Sequence, residues 1–185
     1  GGSGLSAIGG ALRCHELTPT SGPIRHALKI NLYAAKNLYY DSETKGYRWP
    51  AKRADSYAGT DPNIGYGKKR TTPPVKECRM GALLAIPASM NIEDLGLKTE
   101  PAKILAQAFQ DYGAYVVDDT AWDVNAIITE WGPAGRFTEE FKKNWGFDFV
   151  TNGSNDWGQD LIKIYALHSH PHSTGVCSYS IRTCS

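Results

Sequence analysis

Three parts of this chain carry residue types that could do chemistry. The first is the C-terminal run LHSHPHSTGVCSYSIRTCS, which holds three of the five histidines, His168, His170 and His172. Imidazole ligates zinc, copper and nickel, and beside a hydroxyl it can hydrogen-bond or pass protons near neutral pH. Structural zinc takes four ligands, so a metal here needs a fourth from a neighbouring subunit. On a repeating surface the same imidazole–hydroxyl pairs suit contact with silicic acid or another mineral precursor. The plainest reading is a polar, inert terminus, because short histidine tracts are evidence of composition only.

The second part is acidic: Asp118, Asp119 and Asp123, with Glu130 beyond. Paired carboxylates at about 5–10 Å can act as acid and base on a glycosidic bond. Adjacent Asp118 and Asp119 point to opposite faces of an extended chain, so Asp119 with Asp123 across the turn DDTAWD is the better pair. Trp122 and Trp131 lie close by in sequence and offer rings for a sugar. Turn aspartates more often bond their own backbone. The third is His26, on the apolar side of an alternating stretch. It suits a general base, although a core histidine bonded to a carbonyl or carboxylate is the commoner outcome. No GxSxG elbow, phosphate loop or CxxC is present. No cofactor is expected, and the motifs point away from an enzyme.

The elements that must position these residues follow from periodicity. Residues 24–32, IRHALKINL, alternate as a half-buried strand. YRWPA at 47–51 reads as a short strand ended by Pro50. Residues 52–76 are polar and rich in glycine and proline, a loop long enough to suggest function or a partner. GALLAIP at 81–87 reads as a buried strand. Thr99 and Pro101 start a helix whose face is Ile104, Leu105, Ala108 and Phe109, with Gly113 ending it. Strands are expected at 115–118 and 124–131. Two further amphipathic helices follow at 137–145, with Thr138 or a preceding residue as cap, and at 156–167. Pro171 forbids continuation. The expected fold is α+β, an antiparallel or sandwich-like sheet with about three helices packed on it. Residues 1–167 form one domain and 168–185 a tail.

The four cysteines, Cys14, Cys78, Cys177 and Cys184, allow three pairings. The favoured set is Cys14–Cys78 and Cys177–Cys184, the second closing a short loop in the tail. Asn152 opens an Asn-Gly-Ser sequon in a turn-rich stretch. Gly1 in place of methionine reads as a processed start or a linker remnant. Together these favour a secreted, oxidising setting.

Several stretches resemble a family of secreted bacterial proteins of uncharacterised activity. They are GSGLSAIGGALR at 2–13, Glu16-Leu17, IRHALKI at 24–30, YRWPA at 47–51 with Asp55, RMGALLAIP at 79–87, LGLKTEP at 95–101 and QDYGAYVVDDT at 110–120. The resemblance spans about two-thirds of the chain and ends before the histidine–cysteine tail. It implies an extracellular sheet protein, the mature remainder of a longer precursor, and it brings no catalytic residue with it.

Bulk composition narrows the classes. The chain has 185 residues, 41% hydrophobic and 21% charged, with net charge +1. Such a balance argues against a nucleic-acid binder, and no apolar run reaches a membrane span. Ten tyrosines and five tryptophans supply rigid, sticky rings. A near-zero charge weakens repulsion between copies. The preferred reading is an extracellular, non-enzymatic structural protein that self-assembles into a filament or lattice, with silica or a glycan as a further partner. The alternative is a secreted carbohydrate-active enzyme or glycan-binding module using Asp119, Asp123 and Glu130.

Overall fold

A computed structural model describes residues 2–6, 8–133, 135–150 and 152–166. Its centre is a four-stranded sheet in the order β2-β3-β1-β4. Strand β1 spans Leu28–Leu32, β2 Leu83–Leu84, β3 Ala114–Asp119 and β4 Ala126–Ile127. Trp131–Gly132 (β5) and Gly135–Arg136 (β6) pair as a separate two-stranded ribbon. The helices are a single turn at Ala34–Asn37 (α1), Glu100–Asp111 (α2), Phe137–Trp145 (α3) and Asp156–Ala166 (α4). The fold is α+β, as expected.

The sheet is mixed rather than purely antiparallel. β1 and β3 run parallel, with Leu28 opposite Ala114 and Ile30 opposite Val116, while β2 and β4 flank them antiparallel. The reason is the connection. Parallel neighbours need a long crossover, and α2 sits immediately before β3. Gly113, at φ +71, turns the chain from helix into strand, and a Cβ there would stand 2.8 Å from the Leu84 carbonyl.

One face of the sheet is apolar. Leu28, Ile30, Leu32, Ala114, Val116 and Ile127 share a buried cluster with Leu105, Ala106 and Phe109 of α2 and Leu161, Ile164 and Tyr165 of α4. Burial of each large side chain stabilises the fold by about 1.5–3 kcal/mol. The opposite face is polar and is covered by the N-terminal segment. The Gly2 N–H donates to Asp118 Oδ1 at 2.6 Å, the Ser3 N–H to the Val117 carbonyl, and the Lys29 ammonium to the Ser6 carbonyl at 3.2 Å. That cover leaves Lys29 only 6% exposed, and its desolvation holds its pKa below the ordinary lysine value.

Several strand boundaries are shorter than periodicity suggests. Residues 24–27 precede β1 without pairing, and Tyr47 makes only an isolated bridge to Met80 before the cis Trp49–Pro50 peptide. Within 81–87 only Leu83 and Leu84 pair. The stretch 124–131 is broken into β4, a bridge from Thr129 to Leu12, and β5. At the start of α3 the cap position is Arg136, with no side-chain cap from Thr138.

The expected Cys14–Cys78 bond is not made. Cys14 carries a free thiol and Cys78 is disulfide-bonded elsewhere. The two are held in different places. The Cys14 N–H is bonded to Glu130 at 2.7 Å, beside the β5–β6 ribbon, whereas the Cys78 carbonyl accepts from Tyr39, just after α1. Cys177, Cys184, His168, His170 and His172 lie outside the described residues.

Candidate functional site

The residues singled out for chemistry are distributed around the fold and engaged separately. Asp119, at the end of β3, accepts the Ala34 N–H at 2.7 Å, its neighbour Thr120 N–H at 2.7 Å and the Tyr57 hydroxyl at 2.8 Å. It thereby fixes the start of α1 against the sheet. Asp123 pairs with Lys36 at the other end of α1. Glu130 accepts the Cys14 N–H and so ties the N-terminal segment to the ribbon. His26 is half-buried. Its Nε2 lies 3.1 Å from both Glu16 carboxylate oxygens and its Nδ1 3.0 Å from the Ala27 carbonyl. This is the bonded-histidine arrangement, with Glu16 as the carboxylate. Asn152 is exposed, and its Oδ1 accepts from the Ser154 N–H in a local turn.

Sequence reasoning left Asp55, Tyr57 and Tyr66 without a chemical role, and the fold brings them together with Asp118 and Asp119. The Tyr66 hydroxyl donates to Asp55 Oδ2 at 2.6 Å and accepts the Asp55 N–H at 3.2 Å. Burial pushes the Asp55 carboxyl above the usual range, assisted by the charges of Asp118 and Asp119 and opposed by the Tyr66 hydrogen bond. Tyr57 and Tyr66 are both held well above the ordinary tyrosine pKa, chiefly by burial and then by the carboxylates they donate to. They remain hydroxyl donors throughout the physiological range. The signal in the sequence was a pair of tyrosines and an aspartate within one polar loop, which carries no periodicity to mark burial.

The sign of the pH effect follows. An acid whose folded pKa is raised holds its proton more tightly in the folded state. Its contribution is greatest below the unfolded value, about 3.9 for aspartate, and is lost as pH rises through the folded value. Asp55→Asn keeps an acceptor for Tyr66 and removes the charge. The variant is expected to melt at or above the parent temperature at pH 7, and the advantage should shrink on acidification. Melting curves between pH 3 and pH 7 check this, and an advantage that grows towards acid would contradict it.

The exposed apolar surface is the other notable feature. Trp49 is 82% exposed, Trp122 67% and Trp131 76%. Trp131 is held in place across the ribbon by Arg136, whose guanidinium carbon lies 4.4 Å from the ring centroid. Among the described residues no group of three or more His, Cys, Asp or Glu side chains is placed to hold a metal ion, and no helix is long and apolar enough to cross a membrane.

No family model, no curated protein and no solved structure matches this chain.

Proposed function

We propose that the protein is a secreted, non-enzymatic structural protein whose copies associate with one another into a filament or lattice. The observation that carries this reading is the exposure of three tryptophans. A tryptophan buries about 150–250 Å² when covered, and tryptophan is enriched among the hot-spot residues that cluster near the centre of an interface. The carboxylates suited to acid–base work are meanwhile occupied in holding α1, the N-terminal segment and the ribbon to the body. A net charge of +1 offers little repulsion between copies. The resemblance to secreted bacterial sheet proteins and the exposed Asn152 sequon support an extracellular setting. Contact with a mineral such as silica is the role proposed for His168, His170 and His172.

Sedimentation of native material over a wide concentration range, under non-reducing conditions, tests the assembly. The parent is expected to grow in mass with concentration. Substitution of a central tryptophan by alanine should weaken association by about 2 kcal/mol or more, roughly 30-fold. The triple variant W49A/W122A/W131A should stay monomeric. A parent that remains monomeric at the highest concentration removes the reading. In the same material, an unchanged rate of silicic acid condensation after H168A/H170A/H172A removes its mineral part.

A further inference from the structure

Between the turn at residues 41–47 and the loop at 52–60 lies an open groove of about 390 Å³. That volume falls in the lower part of the range for small-molecule sites, about 300–1,000 Å³. Its wall carries Lys45, Lys52 and Arg53 against one carboxylate, Asp55. All three cations are exposed, and none forms an ion pair among the described residues. The excess belongs to the lining itself, since Asp118 and Asp119, whose charges act on Asp55, are not part of it.

The rest of the lining suits a hydroxylated ligand. Ser42, Ser56 and Thr60 contribute hydroxyls. Tyr40 contributes a ring set tightly over Gly59, where a Cβ would stand 2.1 Å from Tyr40 Cζ. The glycine is therefore what lets the ring lie in the wall. The Tyr40 hydroxyl makes no hydrogen bond among the described residues. Asp55 is engaged by Tyr66 beneath the groove. Cations alone would attract any anion, but cations set among hydroxyls and an aromatic ring suit a charged group on a polyol. Arginine adds a planar fork that matches two oxygens of a tetrahedral oxyanion.

We propose that this groove binds a tetrahedral oxyanion ester carried on a sugar ring, with Lys45, Lys52 and Arg53 holding the oxyanion and Tyr40 with the neighbouring hydroxyls holding the ring. Sulfate and phosphate esters share that chemistry. The site stands independently of self-association and needs only a folded monomer.

The test is calorimetric titration of the intact protein with glucose 6-sulfate, glucose 6-phosphate, unmodified glucose and inorganic sulfate, at low and at physiological salt. One or both esters should bind saturably, and the tighter of the two names the natural ester. Glucose and free sulfate should each bind at least tenfold more weakly than that ester. R53A and K52A should each lower its affinity about tenfold, R53K should restore only part of it, and Y40F should lower it a few-fold. These changes lie at exposed positions or remove a single hydroxyl, so unchanged melting temperatures establish that the variants are folded. The proposal is overturned by glucose or free sulfate binding as well as the esters, by no ester binding at low salt, or by R53A and K52A binding like the parent. Sedimentation of the same samples reads assembly separately, so failure of either idea leaves the other standing.

Discussion

Asp160→Ala is expected to lower the unfolding free energy by about 3–5 kcal/mol. Asp160 is fully buried on α4, and its carboxylate accepts the Lys98 N–H at 2.9 Å, the Thr99 N–H at 2.8 Å and the Thr99 hydroxyl at 2.8 Å. These groups lie at the N-terminus of α2, where backbone donors have no partner within the helix. Thr99 occupies the cap position but makes no side-chain cap of its own. The carboxylate on α4 takes over that task, and its negative charge also suits the positive end of the α2 dipole. Alanine would leave two backbone donors and a hydroxyl facing a buried gap, each losing about 1–3 kcal/mol of compensation. Asp160→Asn keeps one acceptor oxygen and turns an amide donor towards donors, so it should fall between parent and alanine. Urea unfolding of the three proteins checks the order. If alanine and asparagine cost the same, below about 1 kcal/mol, Asp160 does not perform this task.

The same contact explains which parts of the fold were legible beforehand. α2 was readable because Pro101, the Leu105–Phe109 face and Gly113 all agree with one another, and α4 because Leu161, Ile164 and Tyr165 fall on one side. Periodicity reports burial against a continuous surface, and these helices have one. It does not report who satisfies a helix end. Thr99 looked like a cap because its type and place are right, yet its hydroxyl donates to a residue 61 positions away. Strand lengths suffered from a related blindness. IRHALKINL alternates from Ile24, but Ile24 joins the core cluster without pairing and the half-buried His26 is engaged by Glu16, so the pairing begins only at Leu28. The parallel β1–β3 pair could not be read from either strand alone, since neither LKINL nor AYVVDD carries a sign of its partner or of the direction of pairing.

The candidate site was legible only in its residue types. Adjacent Asp118 and Asp119 were expected on opposite faces, which left Asp119 and Asp123 across the turn as the candidate pair. The fold sends all three to different places: the Gly2 N–H, the start of α1 and Lys36. Alternation along β3 sends the first two apart, and the turn after Thr120 carries the third to the outside. The groove residues drew no notice because Lys45, Lys52 and Arg53 sit in loops, where a cation normally signals nothing but solvent. Only the return of the 52–60 loop against the 41–47 turn makes them neighbours. A polar loop with two tyrosines, Tyr57 and Tyr66, was the available sign that this segment packs instead of waving in water.

Trp157 provides the second large effect and a sharper discrimination. Its side chain is fully buried, packed 4.9 Å from the Phe141 ring and 5.2 Å from Phe149, centroid to centroid. Phe137 completes the group, 5.4 Å from Phe149. This cluster joins α3 to α4 and is the apolar anchor for the half of the fold that Asp160 serves with hydrogen bonds. Trp157→Ala removes the largest member and leaves a cavity, so a loss of about 3–5 kcal/mol is expected. Trp157→Phe should behave differently from an ordinary tryptophan truncation. The indole Nε1 is buried and has no hydrogen-bond partner among the described residues, and an unsatisfied buried donor carries a desolvation penalty of about 1–3 kcal/mol. Phenylalanine sheds that penalty while keeping an aromatic ring against Phe141 and Phe149. The smaller cavity and the recovered desolvation oppose each other, so the net loss should stay below about 1.5 kcal/mol. Chemical denaturation of both variants separates the two contributions. A phenylalanine variant as unstable as the alanine one would mean that the indole nitrogen is bonded after all, and that the anchor depends on its polar edge as well as its bulk.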